Sequence, residues 1–108
     1  MLPEYVREKL SYAILKLITE PGDARSRLKI AFVSHLQMFT EDDFIPKHKK
    51  KYIEIMMKVG VYEIRNDRVN EYELNAIPKA IDKAFRSMRN STASRLNGYL
   101  WEIYQDMD

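Results

Sequence analysis

Asn90-Ser-Thr-Ala-Ser-Arg-Leu-Asn-Gly-Tyr-Leu-Trp-Glu-Ile-Tyr-Gln-Asp-Met107 carries the clearest helical signal in the chain. Its apolar side chains recur at Ala93, Leu96, Leu100, Ile103, Tyr104 and Met107. These steps of three and four repeat one face of an α-helix, whereas a half-buried strand would alternate at every second residue. Asn90, Ser91 and Thr92 offer N-cap acceptors at its start. Gly98 sits inside the helix at a cost of about 1 kcal/mol relative to alanine, which predicts a close approach of two helix backbones. Tyr99 and Trp101 flank Leu100 and lie outside the stripe, so this helix is either buried on two sides or carries aromatics meant for a partner.

The same spacing extends upstream. Leu74, Ile77, Ile81, Ala84, Phe85 and Met88 predict a helix over about 76–89, with Pro78 near its start. Pro46 opens another, to Val59, whose expected core residues are Tyr52, Ile53, Met56, Met57 and Val59, while Lys49, Lys50 and Lys51 prefer water. Between these two, Val61-Tyr-Glu-Ile64 alternates briefly before the turn residues Arg65-Asn-Asp-Arg68. The expectation for 60–75 is an ordered loop, with a minimal hairpin using Arg68–Tyr72 as the alternative. Thr40-Glu-Asp-Asp43 is a capping-type start, with Phe44 and Ile45 expected to tuck beneath it. Leu28, Ala31, Phe32, His35 and Leu36 define a helix to about residue 37, capped by Asp23. Val6, Leu10, Ala13, Ile14, Leu17 and Ile18 define the first, over about 3–19, stopped at Glu20-Pro-Gly-Asp23. Five helices without an internal repeat predict an all-α bundle, one domain spanning 1–108.

Composition agrees. A chain of 108 residues with 45% hydrophobic and 31% charged side chains, three Gly and four Pro, is neither collagen-like nor a disordered tail. It should expose roughly 6,300 Å² folded against about 18,700 Å² unfolded, enough burial for one core. The absence of Cys excludes disulfides, thiol nucleophiles and iron–sulfur sites. No apolar run approaches a membrane span, and charged residues interrupt the first twenty positions, so the expectation is a cytoplasmic protein with no membrane partner.

Net charge is +2, but it is uneven. Residues 47–68 hold seven basic against three acidic groups, a local excess of +4, while 1–46 and 69–108 each come to −1. Lys47, Lys49, Lys50 and Lys51, together with Arg86 and Arg89, could meet phosphate oxygens if the fold places them side by side. Alternatively the lysines solvate a helix and the arginines pair with Glu102, Asp82 or Glu71. His35, Glu41, Asp42, Asp43 and His48 are the residue types of a divalent-metal site, but two histidines thirteen apart share no helical turn and match no metal motif. The acidic trio is equally accounted for by a helix N-terminus, and His48 by the basic run. Nucleophile elbows, phosphate-binding glycine loops and dinucleotide fingerprints are missing. Neither a catalytic residue nor a cofactor is expected.

Glu20-Pro-Gly-Asp-Ala-Arg-Ser-Arg-Leu28, Asp42-Asp-Phe-Ile-Pro46 and Met88-Arg-Asn-Ser-Thr-Ala-Ser-Arg-Leu96 together resemble the ordered landmarks of a group of short bacterial proteins with no assigned function. The resemblance implies a bacterial or phage-like origin and a small stand-alone helical protein, and it carries over no catalytic residue.

The reading that results is a non-enzymatic interaction or regulatory protein offering a helical face to a protein partner or to a second copy of itself. Tyr99, Trp101 and Arg95 are its expected contact residues, with Arg25 and Arg27 as a polar rim. Nucleic-acid binding through Lys47, Lys49, Lys50, Lys51, Arg86 and Arg89 is the alternative. A metal-dependent hydrolase built on the two histidines is a distant third.

Overall fold

A computed structural model describes residues 3–66 and 76–107. Among these it contains six α-helices and no strand: α1 (Pro3–Thr19), α2 (Ala24–Ala31), α3 (Pro46–Lys58), α4 (Tyr62–Asn66), α5 (Ile77–Ser87) and α6 (Asn90–Gln105). The all-α expectation holds. α2 runs on into one turn of wider π-helix, Phe32–Leu36, and a 3₁₀ turn at Glu41–Asp43 precedes α3.

α6 is the central element, in contact with α1, α2 and α3. Its stripe of Ala93, Leu96, Leu100 and Ile103 is fully buried against Val6, Leu10 and Ala13 of α1, Leu28 of α2, and Tyr52 and Ile55 of α3 in one core. Tyr52 carries a polar end into that core, and its hydroxyl donates to the carbonyl of Leu36 at 2.9 Å. This satisfies a group that would otherwise be stranded without water.

Local chemistry fixes the ends. Asp23 accepts from the Ser26 N–H at 2.9 Å and so caps α2, as its position predicts. The Asp43 carboxylate accepts from the Thr40 N–H at 2.9 Å, closing the 3₁₀ turn. Gly60 turns the chain after α3 at φ +87°, and a Cβ there would sit 2.9 Å from the Ala80 carbonyl, so only glycine fits.

Several expectations are corrected. The loop expected at 60–75 contains a helical turn, α4. Tyr62 and Ile64 reach the core edge from this helical turn, and Val61, just before it, is fully buried. The hairpin alternative at Arg68–Tyr72 lies outside the described residues. Phe44 tucks beneath the 3₁₀ turn but Ile45 does not; it stays exposed as the residue before Pro46. Met57 and Ile18 point outward, because each lies at the edge of its helix stripe and no helix among the described residues covers that side. The start of α6 has no side-chain cap from Asn90. Asn90 is instead engaged with α2, accepting from the Arg25 N–H at 3.0 Å and donating to Asp23 at 3.1 Å.

Candidate functional site

α6 has two flanks, and the expected contact residues divide between them. Two residues along a helix are about 200° around its axis, so Tyr99 and Trp101 face opposite ways.

On the Tyr99 flank α6 runs antiparallel to α3, and charges pair across the seam. Lys47 Nζ meets Asp106 Oδ2 at 2.6 Å, Lys51 meets Glu102 at 2.8 Å, and Arg95 Nη2 approaches Glu54 Oε2 at 3.2 Å. The Arg95–Glu54 contact is an ion pair without hydrogen-bond alignment. Arg95 is therefore occupied within its own chain. Tyr99 is half-buried against the core edge. Hydrogen bonding to Glu102 raises the Lys51 ammonium pKa above its ordinary value. The Asp106 carboxyl is held below its ordinary value, first by Lys47 and then by His48.

His48 is the residue that the basic-run reading misplaced. It is almost fully buried and its Nε2 meets Asp106 Oδ2 at 3.0 Å, joining the start of α3 to the end of α6. The signal for this was in the sequence: His48, Tyr52, Ile55 and Val59 form one stripe at steps of four and three. Beside it lies a hollow of about 300 Å³ walled by Glu4, Arg7, Asp43, Asp106, Phe44 and Met107, among others. No Ser or Thr lines it to serve as a nucleophile. His35 lies elsewhere, its ring tilted against Tyr12 at 5.6 Å, and burial together with Lys16 and Lys9 lowers its pKa. Among the described residues no three His, Asp or Glu side chains gather where they could hold a metal ion.

The basic residues are dispersed rather than joined. Lys47, Lys49 and Lys51 each hold a carboxylate, the second of them on Asp42, while Lys50 is exposed and has none among the described residues. Arg89 lies near Lys58 at the opposite end of α3. Nine residues of helix separate Lys58 from Lys49, about 14 Å at 1.5 Å each. Arg86 stands apart again, beside Arg25 and Lys29, with Asp82 among them paired to Lys29 at 2.9 Å.

The Trp101 flank is different in kind. Here α6 lies antiparallel to α1, and between them Ile14, Leu17, Ile18, Asn97, Gly98 and Trp101, with Arg27 of α2, line a hollow of about 430 Å³. Trp101 is 45% exposed and Ile18 69%. Leu15, three residues before Ile18 and therefore on the same side of α1, is also exposed. Gly98 forms part of the lining, and a Cβ added there would meet nothing within 4 Å. That overturns the expected close approach of helix backbones: the glycine borders open space. Trp101 stacks loosely on Tyr104, centroids 6.1 Å apart. Arg27 donates to the carbonyls of Leu17 at 3.3 Å and Asp23 at 3.4 Å, and no carboxylate pairs with it among the described residues. The Asn97 amide nitrogen reaches the Ala24 carbonyl at 3.4 Å while its buried oxygen has no partner among the described residues.

Of the five expected contact residues, the fold thus brings Trp101 and Arg27 together. Arg95 and Tyr99 lie on the α3 flank. Arg25 ties α2 to the turn before α6, its guanidinium donating to the Met88 carbonyl at 3.3 Å. Ile18, Leu15 and Gly98 belong to the face but were not read as site residues, because the first was assigned to the core and the last to a helix crossing. No family model, no curated protein and no solved structure matches the chain. No described helix is long and apolar enough to cross a membrane.

Proposed function

We propose that this protein is a non-enzymatic interaction module whose contact face is the α1/α6 seam centred on Trp101. The observation that carries the reading is the exposure of Leu15, Ile18 and Trp101 around an open groove at Gly98. Isolated exposed apolar residues are ordinary, but a cluster that includes a tryptophan beside an arginine with no acidic partner among the described residues has the makeup of a binding face. Catalysis has less support, since the hollow beside His48 has no hydroxyl nucleophile among the described residues and its histidine is bound to Asp106. Nucleic-acid binding has less support as well, because three of the four clustered lysines already neutralise carboxylates.

Single variants on the two flanks of α6 test the reading. Trp101→Ala is expected to remove association with the partner, whether a second copy or another protein, while Tyr99→Ala keeps it and both retain wild-type helicity by circular dichroism. Undiminished association of Trp101→Ala in size-exclusion and pull-down profiles contradicts it.

A further inference from the structure

Resting on that reading, we infer that the occupant of the α1/α6 face is a second copy of this chain, docked antiparallel about a twofold axis through the face. Three features favour this. The first is charge. The two ends of the face differ in charge: Glu4, Arg7, Glu8 and Ser11 line a hollow at the α1 N-terminal end, beside Tyr104, with a net charge of one negative. Arg27 stands at the other end, and among the described residues its acceptors are backbone carbonyls. A twofold axis across the groove lays each copy's acidic end over the other's Arg27, making the same favourable contact twice.

The second feature is shape. An isologous interface must be complementary to itself, so it needs a projection and a recess on one surface. The indole of Trp101 projects and Gly98, one helical turn back on α6, leaves the recess. Ile18 and Leu15 extend the apolar centre between the charged ends.

The third is size. α1 is 17 residues long, so two helices side by side present about 26 Å by about 20 Å. That is roughly 500 Å² per copy, below the ~800 Å² of a standard interface. The area suits a reversible, concentration-dependent dimer rather than an obligate one, and the fold agrees, since each copy has its own closed core.

Mixing of charge-reversed chains tests the arrangement, read by sedimentation equilibrium from about 1 µM to about 1 mM, the affinity range of such weak contacts. The acidic-end variant Glu4→Lys with Glu8→Lys, and separately Arg27→Glu, each oppose like charges twice in a homodimer and should weaken self-association by about tenfold or more. Mixed one to one, they restore opposite charges at both contacts, and the mixture should recover wild-type association. Should Arg27→Glu lose helicity, Arg27→Gln replaces it and should weaken the dimer, with only partial recovery on mixing with the acidic-end variant because one of the two opposite-charge contacts is regained. Gly98→Leu, which fills the recess from an exposed position, should abolish the dimer with helicity intact. A wild-type chain that stays monomeric throughout this range overturns the inference, as do reversals that leave the dimer unchanged or a mixture that does not recover. The two failures are distinguishable: a monomeric chain that still loses a different protein through Trp101→Ala refutes the second copy and leaves the contact face standing.

Discussion

The two seams of α6 are built from one helix and completed in opposite ways. Toward α3 the rim is charged and paired: Lys47 with Asp106, Lys51 with Glu102 and Arg95 with Glu54 form an antiparallel ladder of opposite charges. Toward α1 the rim is apolar and open, with Ile18 and Trp101 in solvent, Gly98 leaving a gap and Arg27 without a carboxylate among the described residues. Charged side chains invite a functional reading in a sequence, yet here they are the ones the fold already uses. The proposed capacity for binding lies where side chains that favour burial are left uncovered.

The comparison can be broken most forcefully from beneath. Leu100 is fully buried in the α6 stripe, and Leu100→Ala should cost about 2–5 kcal/mol in urea unfolding and loosen both seams together. Next is a change confined to the open seam. Ile18→Asp, at a position 69% exposed, should leave far-UV circular dichroism unchanged and weaken association by about tenfold or more, near 1.4 kcal/mol. Gly98→Ala separates fold from function in one variant: the helix should gain up to about 1 kcal/mol in thermal or urea unfolding, because its new Cβ meets no obstacle, while association falls. On the closed seam, Arg95→Gln should change stability by less than about 1 kcal/mol, by an amount that shrinks in high salt, and should not alter association.

The smallest effect is that of pH. Since Lys47 and His48 hold the Asp106 carboxyl below its ordinary 3.8, its contribution is fully present above about pH 4 and is lost as pH falls through the lowered folded value. Asp106→Asn should flatten that part of the acid-unfolding curve. An unchanged slope would show that Asp106 is not coupled to folding.

How much was legible follows from which forces act locally. Helix periodicity and caps are properties of neighbouring residues, so the extents of α1, α3, α5 and α6 and the roles of Asp23, Pro46 and the Thr40–Asp43 turn could be read directly. Asn90 shows the limit. It has a good capping side chain, but Asp23 and the Arg25 N–H, more than sixty residues away, compete for it and win. Ile18 and Met57 show another: a stripe gives the direction of an apolar side chain, but only tertiary packing decides whether a neighbour covers the stripe's edge. The proposed contact face is half legible. Trp101 stood out because it fell off the stripe, while Gly98 gave a signal that fits a crossing or a gap equally, and only the position of α1 decides between them.

Trp101 is the chain's only tryptophan, so it reports on the open seam without any label. Acrylamide quenching of its emission, measured as protein concentration rises, asks directly whether a second copy covers the face. The account predicts that quenching falls several-fold and the emission maximum moves to shorter wavelength, with Tyr99→Ala behaving like wild type. Quenching that stays constant up to about 1 mM, the weak end of specific association, contradicts it.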